Sequence, residues 1–409
     1  MSAWANATFA SLHTPNYRRY FAGQAVSLVG TWMQTVAQAW LVLELTGSGT
    51  ALGLVAAAQF LPILLLAPYG GVLADRLDKR TILIATQSAL GAMALTLGVL
   101  TVTGAVRLWM VVVLALALGV ATALDNPARQ AFAQEMVGAG GLRNAVSLNS
   151  VLVNSARAVG PAVAGVLIAT VGTGACFLIN AASYVAVVAA LWGMDVRQLR
   201  PTPKQGREPG QVRQGLRYVA RTPDLLVPLM MLALVGTLAY EFQVVLPLLA
   251  RGPLAGGAGT YALLTSAMGV GAMAGGLVVA GRGRTGLAPL TLASALFGLA
   301  ILAAAAAPSV GYALIALTVV GATSVAFLAV GNTTLQLTSE PRFRGRVMAL
   351  WAVAFLGSTP LGAPIIGAVS EHLSPRGGLA IGGLACLAAA GLGALVLARG
   401  GDRGSAPPA

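Results

Sequence analysis

The chain has 409 residues, of which 57% are hydrophobic and only 9% are charged, and its mean hydropathy is +0.81. A soluble protein carries roughly 25% charged residues, so this composition excludes a soluble globular protein. The net charge of +13 does not indicate a nucleic-acid partner, because the charges lie in the connections between apolar runs. We therefore expect an integral membrane protein whose main environment is the lipid bilayer.

Twelve apolar stretches are long enough to span a bilayer, which takes about 20 helical residues each. Because lipid cannot satisfy backbone hydrogen bonds, these stretches predict an all-α integral membrane fold of twelve transmembrane helices. The predicted spans lie near residues 20–45, 50–74, 81–103, 108–133, 144–172, 174–194, 224–250, 259–281, 286–307, 311–338, 346–371 and 377–398.

The basic residues in the connections predict the orientation of the spans. If the N-terminus is cytoplasmic, the cytoplasmic connections hold twenty lysines and arginines, whereas the outer loops hold only Arg107, Arg251 and Arg376. Cytoplasmic loops carry an excess of basic residues, so both termini are expected in the cytoplasm. Low lysine use with abundant alanine and glycine points to a bacterium, hence to its inner membrane, and we expect a monomer.

One long polar connection divides the chain. Residues 195–223 contain seven basic residues and four prolines, which is typical of a solvated linker. The predicted organisation is an N-terminal six-helix bundle over 1–194, this basic cytoplasmic linker over 195–223, a C-terminal six-helix bundle over 224–398 and a cytoplasmic tail over 399–409.

A weak internal repeat relates the two halves. Several positions recur 202 residues later in the same order, namely Gly119 as Gly321, Gln134 as Gln336, Gly160 as Gly362 and Gly165 as Gly367. Gly70-Gly71 recurs as Gly275-Gly276. Duplicated halves predict a pseudo-two-fold axis along the membrane normal, a geometry that suits a transporter whose halves rock around a central site.

The connection between predicted spans 2 and 3 carries the densest charge. Five charges arrive within six residues from Asp75 to Arg80, so this segment must be a short turn at a membrane face. With six helices, a basic linker and six more helices, the pattern Gly71-x-Leu73-Ala74-Asp75-Arg76-x-x-Lys79-Arg80 resembles the major facilitator superfamily. Asp78 stands where that family usually has glycine or another small residue. The resemblance implies two pseudo-symmetric six-helix bundles.

Three shorter segments carry a narrower resemblance. They are Trp32-Met33-Gln34, Leu124-Asp125-Asn126-Pro127-Ala128-Arg129-Gln130 and Asn154-Ser155-Ala156-Arg157-x-x-Gly160-Pro161. They are similar to the drug and metabolite exporters that include macrolide-efflux and enterobactin-export proteins. In such proteins the Gly-Pro pattern of the fifth helix is associated with proton-coupled export, so the resemblance implies an antiporter.

The charged turn also has a physical interpretation. Asp75 ends span 2 opposite the predicted start of span 11, and a helix N-terminus stabilises a nearby carboxylate. Arg129, near the inner end of span 4, is a candidate partner for it. We expect a cytoplasmic latch between the halves formed by Gly71, Asp75, Arg76, Arg80 and Arg129. The alternative is that these residues only anchor the topology.

Ionisable residues inside apolar spans are costly unless they face protein or water. Glu241 lies 17 residues into span 7, roughly 25 Å along it, beside Tyr240 and Gln243. No cation is near it in the sequence, so it suits a group that binds a proton or a cationic substrate. The alternative is an acid that is hydrogen-bonded for structure or that already lies at the outer rim.

A second pair of charges lies in the N-terminal half. Arg157 falls near the middle of span 5 and Asp125 in the inner half of span 4. Adjacent antiparallel helices would bring them together as a buried pair, either structural or proton-sensitive. Glu44, at the outer end of span 1, is interpreted as a rim residue.

Polar stripes complete the candidate site. Thr31, Gln34, Thr35 and Gln38 follow helical i, i+3, i+4, i+7 spacing, and Asn332 and Gln336 lie one turn apart in span 10. Such stripes either hold helices together or line water, and in the resembled fold these helices surround the cavity. Trp32 and Tyr240 would stack on an apolar substrate, or pack in the core.

These features predict a secondary transporter that exports an amphipathic small molecule, a drug or secondary metabolite, in exchange for protons. No phosphate-binding loop of the G-x-x-x-x-G-K-[ST] type is present in the sequence, so no nucleotide or other cofactor is expected. The two histidines and two cysteines predict no metal site and no catalytic residues. The alternatives are an importer of a small nutrient, and a lipid scramblase or a non-transporting receptor.

Overall fold

The computed structural model describes residues 8–200, 211–282 and 285–402, and this part of the chain is helical without strands. A few helix positions, Asp75 among them, are described by their backbone only. The helices are α1 (Pro15–Thr46), α2 (Gly49–Arg76), α3 (Lys79–Val102), α4 (Leu108–Val171), α5 (Thr173–Trp192), α6 (Gln211–Ala220), α7 (Pro223–Ala239), α8 (Phe242–Arg251), α9 (Ala258–Arg282), α10 (Leu287–Ala305), α11 (Val310–Thr338), α12 (Arg344–Leu356), α13 (Thr359–His372) and α14 (Pro375–Asp402).

Within the described ranges, eleven helical segments are long and apolar enough to cross a membrane. One of them is α4, whose 64 residues contain predicted spans 4 and 5. Gly138 interrupts α4 with a φ of 71°, a left-handed conformation that glycine adopts at no steric cost. The twelve predicted spans are therefore all present, and the all-α membrane fold is confirmed.

Two predicted spans are interrupted within the C-terminal half. Span 7 consists of α7 and α8, which are separated by Tyr240 and Glu241. Span 11 consists of α12 and α13, which are separated by Gly357 and Ser358. Interrupted membrane helices expose backbone groups that must be satisfied by protein or water.

The chain contacts divide the protein into two compact units. The N-terminal unit comprises Met1–Gly47 and Ala58–Gly206, and the C-terminal unit comprises Ser48–Ala57 and Arg207–Ala409. The first residues of α2 thus cluster with the C-terminal unit and the rest of α2 with the N-terminal unit.

In the N-terminal unit, α1 and α3 each pack against both α4 and α5. The core at one end of this unit contains buried aromatic and aliphatic side chains, including Tyr17, Tyr20, Leu83, Phe132 and Leu191.

The C-terminal unit repeats the same pairings. The contacts α3–α5, α1–α5 and α3–α4 of the first unit have counterparts in α10–α14, α7–α14 and α10–α11. An aromatic cluster fills the middle of this unit, where the Tyr240 ring lies 5.2 Å from Phe297 and 4.9 Å from Phe355, measured between centroids.

The repeated glycines occupy matching helix crossings in the two units. A Cβ atom at Gly119 would overlap the carbonyl oxygen of Gln59 in α2, and one at Gly321 would overlap that of Met268 in α9. Likewise, Gly70 lies against the Ala123 carbonyl in the first unit. Small residues let membrane helices approach closely, so the sequence repeat reflects repeated helix packing.

Candidate functional site

Glu241 lies at the interruption of span 7. It is 5% exposed and precedes the first residue of α8, where its carbonyl oxygen accepts hydrogen bonds from Val244 N at 3.0 Å and Val245 N at 3.1 Å. The preceding residue, Tyr240, donates its hydroxyl to the carbonyl of Ser324 in α11 at 2.9 Å. The side chain of Tyr240 therefore ties the interruption to α11, beside the buried carboxyl group.

The interruption of span 11 faces this carboxyl group. The Thr359 side chain, at the first residue of α13, hydrogen-bonds to Glu241. The first turn of a helix carries partial positive charge from its N–H groups, which favours a nearby carboxylate. Two helix interruptions thus meet at one acidic side chain inside the C-terminal unit.

Gly362 makes room for the carboxyl group. A Cβ atom on Gly362 would lie 3.0 Å from Oε1 of Glu241 and would overlap the carbonyl oxygen of Thr237. The glycine is therefore required by the close approach of α7 to α13. Any larger residue would displace either the acid or the backbone of α7.

One oxygen of this carboxyl group remains unsatisfied. Oε1 of Glu241 is buried and has no hydrogen-bond partner among the described residues, and the ion pairs within that part of the chain do not include it. Beside it lies a cavity of about 10 Å³, close to the room that one water molecule needs. The cavity is lined by Glu241 together with apolar residues of α7, α8, α10, α13 and α14.

The acid of the N-terminal unit has a different environment. Asp125 is 1% exposed, and its Oδ1 accepts hydrogen bonds from Thr86 Oγ1 at 2.7 Å and Gln87 Nε2 at 2.8 Å. Its Oδ2 forms an ion pair with Arg129, whose Nε lies 3.0 Å away. Arg129 also donates to Oε1 of Gln24 at 3.0 Å. Asp125 is therefore a saturated, paired carboxylate.

The sequence predicts a different partner for each of these residues, namely Arg157 for Asp125 and Asp75 for Arg129. Asp125 and Arg129 are four residues apart and share one helix face, so their pairing is local. Arg157 does not take that place. Its guanidinium carbon instead lies 5.4 Å from the ring centroid of Trp32, a cation–π arrangement. Arg129, expected in the latch, is engaged by Asp125 and Gln24 inside the unit.

The polar stripe of α1 mainly joins helices. Gln34 is 6% exposed and accepts a hydrogen bond from Asn180 Nδ2 of α5 at 2.6 Å. Gln38 is 8% exposed, and its Nε2 lies 3.5 Å from Oε1 of Gln59 in α2. Thr31, by contrast, is exposed and hydrogen-bonds to the Ser27 carbonyl at 2.9 Å.

The other polar pair lies in α11. Gln336 is exposed and donates to Asn332 one turn away. This contact is within the helix, so it leaves the remaining amide groups available to another partner.

The charged turn between α2 and α3 is partly described. The Asp75 side chain lies outside the described residues, Gly71 is partly exposed and Arg76 is exposed. Arg80 donates to the carbonyls of Leu191 at 2.7 Å and Trp192 at 3.2 Å, where it satisfies the C-terminal end of α5.

The same turn contains two contacts that the sequence did not reveal. Asp78 caps α3 by accepting from Thr81 N at 2.7 Å, with a φ of −65° that does not require glycine. Lys79 forms an ion pair with Glu135 of α4 at 2.7 Å, and Glu135 is 6% exposed. No short motif relates Lys79 to Glu135, so only tertiary packing identifies this pair.

A second unpredicted acid lies in the C-terminal unit. Oε2 of Glu371, in the last turn of α13, accepts hydrogen bonds from Ser48 Oγ at 2.6 Å and Thr50 N at 2.8 Å. Glu371 therefore caps the start of α2, where a carboxylate is favoured. The type of contact expected for Asp75 thus occurs with another acid at the opposite end of α2.

Comparisons with known proteins agree with this architecture. The family described as transmembrane secretion effector matches residues 6–406. Macrolide efflux protein A of Streptococcus pyogenes is 26% identical over 356 residues, 84% of this chain and 86% of that protein. The enterobactin exporter EntS of Shigella boydii is 24% identical over 397 residues, 94% of this chain and 90% of that protein.

Other relatives match over a shorter length. The staphyloferrin A transporter of Staphylococcus aureus is 31% identical over 174 residues, 42% of this chain and 44% of that protein. An uncharacterized MFS-type transporter of Bacillus subtilis, YfiS, is matched over 50% of its length. The match therefore spans about half the length of these two relatives.

Solved structures show the same fold. The POT family transporter PepTSo has a TM-score of 0.74 at 12% identity, with 94% of this chain and 98% of that chain covered. A bacterial homolog of the human lysosomal transporter Spinster has a TM-score of 0.68 at 16% identity, with 94% and 95% covered. At these identities the likeness concerns the fold alone.

Proposed function

The chain belongs to the transmembrane secretion effector family of major facilitator transporters, and from this premise we propose that it exports an amphipathic small molecule in exchange for protons. Two relatives that match along most of the chain are named for the efflux of a macrolide and the export of enterobactin, which supports outward transport of such molecules. We further propose that both termini lie in the cytoplasm, which the distribution of basic residues favours, and that the protein is a monomer in a bacterial inner membrane.

The observation that carries the proton-coupled part of this proposal is the unsatisfied oxygen of Glu241. A buried carboxyl group that lacks an ion-pair partner in the described structure is suited to exchanging a proton, because no salt bridge has to break when it is neutralised. The Thr359 hydroxyl and the N-terminus of α13 hold the ionised form, and the adjacent cavity admits the water that delivers the proton.

Protonation of Glu241 would act on the two helix interruptions. Binding a proton at Oε1 gives a neutral carboxylic acid and removes the attraction between the carboxylate and the first turn of α13. The α7–α8 junction, which carries Glu241, is then no longer attracted to the α12–α13 junction. Because interrupted helices bend at their junctions more readily than continuous ones, this is where the protonation state changes the conformation that alternating access requires.

Glu371 supplies a second element of the proposed cycle. Its carboxylate holds the first residues of α2, while the later residues of α2 belong to the N-terminal unit. We assign this contact to the outer side, where the orientation proposed above places the start of α2. The contact opens when the start of α2 moves with the rest of the helix.

The experiment uses the purified full chain in proteoliposomes, with a macrolide and enterobactin as probes. An imposed pH gradient, acid inside, is expected to drive probe accumulation by the wild type. The Glu241→Gln variant keeps the shape but not the proton site, so gradient-driven accumulation should fall at least about tenfold. Exchange of labelled for unlabelled probe without a gradient should persist.

Glu44 provides the matched control. It is an exposed acid that accepts a hydrogen bond from Trp40 Nε1 at 2.7 Å, and Glu44→Gln should transport like the wild type. Full gradient-driven accumulation by Glu241→Gln would remove Glu241 from the mechanism. Accumulation under the opposite gradient would identify an importer, and lipid exchange without probe transport would identify a scramblase.

A further inference from the structure

A cluster of arginines has no role in the transport mechanism described above. It lies in the C-terminal unit, where α6 packs against α12. Residues 214–224 and 340–346 together hold five arginines against two acids. Four of these arginines are exposed and the fifth is partly buried; in chain order they are Arg217, Arg221, Arg342, Arg344 and the partly buried Arg346. We call this set the arginine cluster.

An aromatic stack brings two members of the cluster together. The Tyr218 ring of α6 lies 4.3 Å from the Phe343 ring, measured between centroids, with an angle of 14° between the ring planes. The guanidinium carbons of Arg342 and Arg346 lie 4.8 Å and 5.2 Å from the centroid of the same Phe343 ring. The quadrupole of an aromatic ring attracts cations in this position. Two arginines are therefore held around one side chain.

The other contacts of the cluster compensate little of its charge. Nη1 of Arg346 donates to Oε1 of Gln214 at 2.7 Å, and the backbone N–H of Glu340 donates to the Tyr218 hydroxyl at 3.2 Å. These bonds attach α6 to the start of α12 through neutral groups. Nε of Arg342 lies 2.8 Å from Oε2 of Glu340, but the two side chains are 74% and 49% exposed. An ion pair as exposed as this one contributes little to stability.

The position of the cluster on α12 adds to the electrostatic cost. Arg344 is the first residue of α12 and Arg346 the third, and the first turn of this helix contains no acid. A helix N-terminus carries partial positive charge, so it repels these cations. Like charges held close together also repel one another. An anion among the arginines would offset both effects.

The cluster lies near the depth of the lipid head groups. Only Arg221 and Thr222 separate α6 from α7, the first helix of span 7. Because an extended residue covers at most about 3.5 Å, α6 ends within roughly 10 Å of the start of that span. α12, which begins span 11, packs against α6. Beside Arg217, the Leu216 side chain is 52% exposed and offers an apolar contact to an acyl chain.

From this arrangement we propose that the arginine cluster binds the head group of an anionic phospholipid. Arg342 and Arg346 donate to the phosphate oxygens, for which the planar guanidinium group is suited. Arg217 and Arg221, one turn apart in α6, are attracted to the negative surface of the leaflet. A zwitterionic lipid brings its own cation and therefore compensates the cluster less well. The orientation proposed above assigns the site to the cytoplasmic leaflet, whereas the binding itself does not depend on the proposed transport function.

The first test places the full chain in nanodiscs of phosphatidylcholine, with and without phosphatidylglycerol of the same acyl chains. Hydrogen–deuterium exchange of the α6 amides is expected to slow at least about threefold when phosphatidylglycerol is present, because a bound head group stabilises the attached helix. This comparison uses only the wild-type protein, so folding of a variant does not affect it.

The second test counts bound lipids by native mass spectrometry of the full chain in detergent. The wild type should prefer phosphatidylglycerol to phosphatidylcholine. Arg342→Gln with Arg346→Gln should lower this preference at least about tenfold, since each arginine near an anionic surface contributes about fivefold. The matched control, Arg18→Gln with Arg143→Gln, removes two exposed arginines of the N-terminal unit, and its preference should stay close to that of the wild type.

Three results would overturn the proposal. Exchange of α6 that does not respond to phosphatidylglycerol would show that no head group binds there. An equal loss of lipid preference in the two double variants would show that the preference follows total charge instead of this cluster. If inorganic phosphate, added to nanodiscs of phosphatidylcholine, slowed exchange of α6 as much as phosphatidylglycerol does, the cluster would be a site for a soluble anion.

Discussion

Asp125 in the N-terminal unit and Glu241 in the C-terminal unit are both buried within membrane spans, but their environments are opposite. Asp125 receives donors from Thr86, Gln87 and Arg129, so its charge is compensated inside the N-terminal unit. Glu241 is bonded by Thr359 and keeps one oxygen without a partner in the described residues. Burial alone therefore does not identify a proton site; the presence or absence of a compensating cation distinguishes the two acids.

The internal repeat makes the comparison sharper. Gly160 lies against the carbonyl oxygen of Val29 and the backbone of Met33 in α1, four residues apart. Its repeat partner Gly362 lies against the carbonyl oxygen of Thr237 and the carboxyl group of Glu241, again four residues apart. At matching helix crossings, one unit thus has a continuous helix with a buried methionine, and the other an interrupted helix with an acid.

The largest change in stability is expected when the ion pair between Asp125 and Arg129 is broken. Arg129→Met leaves the carboxylate of Asp125 buried without its cation, so the free energy of unfolding should fall by about 3–5 kcal/mol. Thermal unfolding in detergent measures this loss. The double variant Asp125→Asn with Arg129→Met should recover most of it, since neither charge then remains. A single variant as stable as the wild type would contradict the assigned pairing.

Replacing Glu241, the acid without an ion-pair partner in the described residues, should stabilise the protein instead of destabilising it. Glu241→Met gives the C-terminal unit the residue type that its repeat partner has at Met33, and it removes an unsatisfied buried group. The free energy of unfolding should rise by about 1–3 kcal/mol while gradient-driven transport is lost. Met33→Leu serves as the control, with little change in either quantity. A destabilised Glu241→Met protein would mean that the carboxyl group is a structural contact.

The smallest change in stability is expected at Glu371, an exposed acid whose carboxylate contacts the N-terminus of α2. Glu371→Gln keeps an acceptor for Ser48 and Thr50 and loses only the charge, so the unfolding free energy should change by about 0.3–1 kcal/mol. The loss should shrink when salt is raised. A loss that does not respond to salt would point to altered packing rather than to the helix dipole.

Individual residues show where sequence reasoning succeeded. Gly119 and Gly321 were identified as repeat partners, and both lie at close helix crossings. The position of Arg157 in the adjacent span predicts a pair between helices with Asp125, whereas the four-residue spacing of Asp125 and Arg129 indicates a pair along one helix, which is the pair that the structure contains. Local spacing was the better guide, since a contact along one helix needs no assumption about neighbouring helices.

Hydropathy does not locate the interruptions of spans 7 and 11, although Gly357 and Pro360 at the second of them are typical of a helix end and a helix start. At the first interruption, Tyr240 and Glu241 lie within an otherwise apolar span, and neither is a glycine or proline that would indicate a helix end. The interruption instead coincides with tertiary contacts, including the bond from the Tyr240 hydroxyl to α11 and the bond from Thr359 to Glu241. Contacts between residues that are distant in the chain leave no local pattern.

The amino-acid sequence by itself determined the membrane environment, the number of spans, the duplicated architecture and the family. Those properties follow from hydrophobic length, from the distribution of charge and from glycine spacing, all of which are local or periodic quantities. Only the tertiary structure decided which buried acid is compensated and where the junctions within spans 7 and 11 lie. These features depend on which side chains meet across helices, and that is a property of packing in three dimensions.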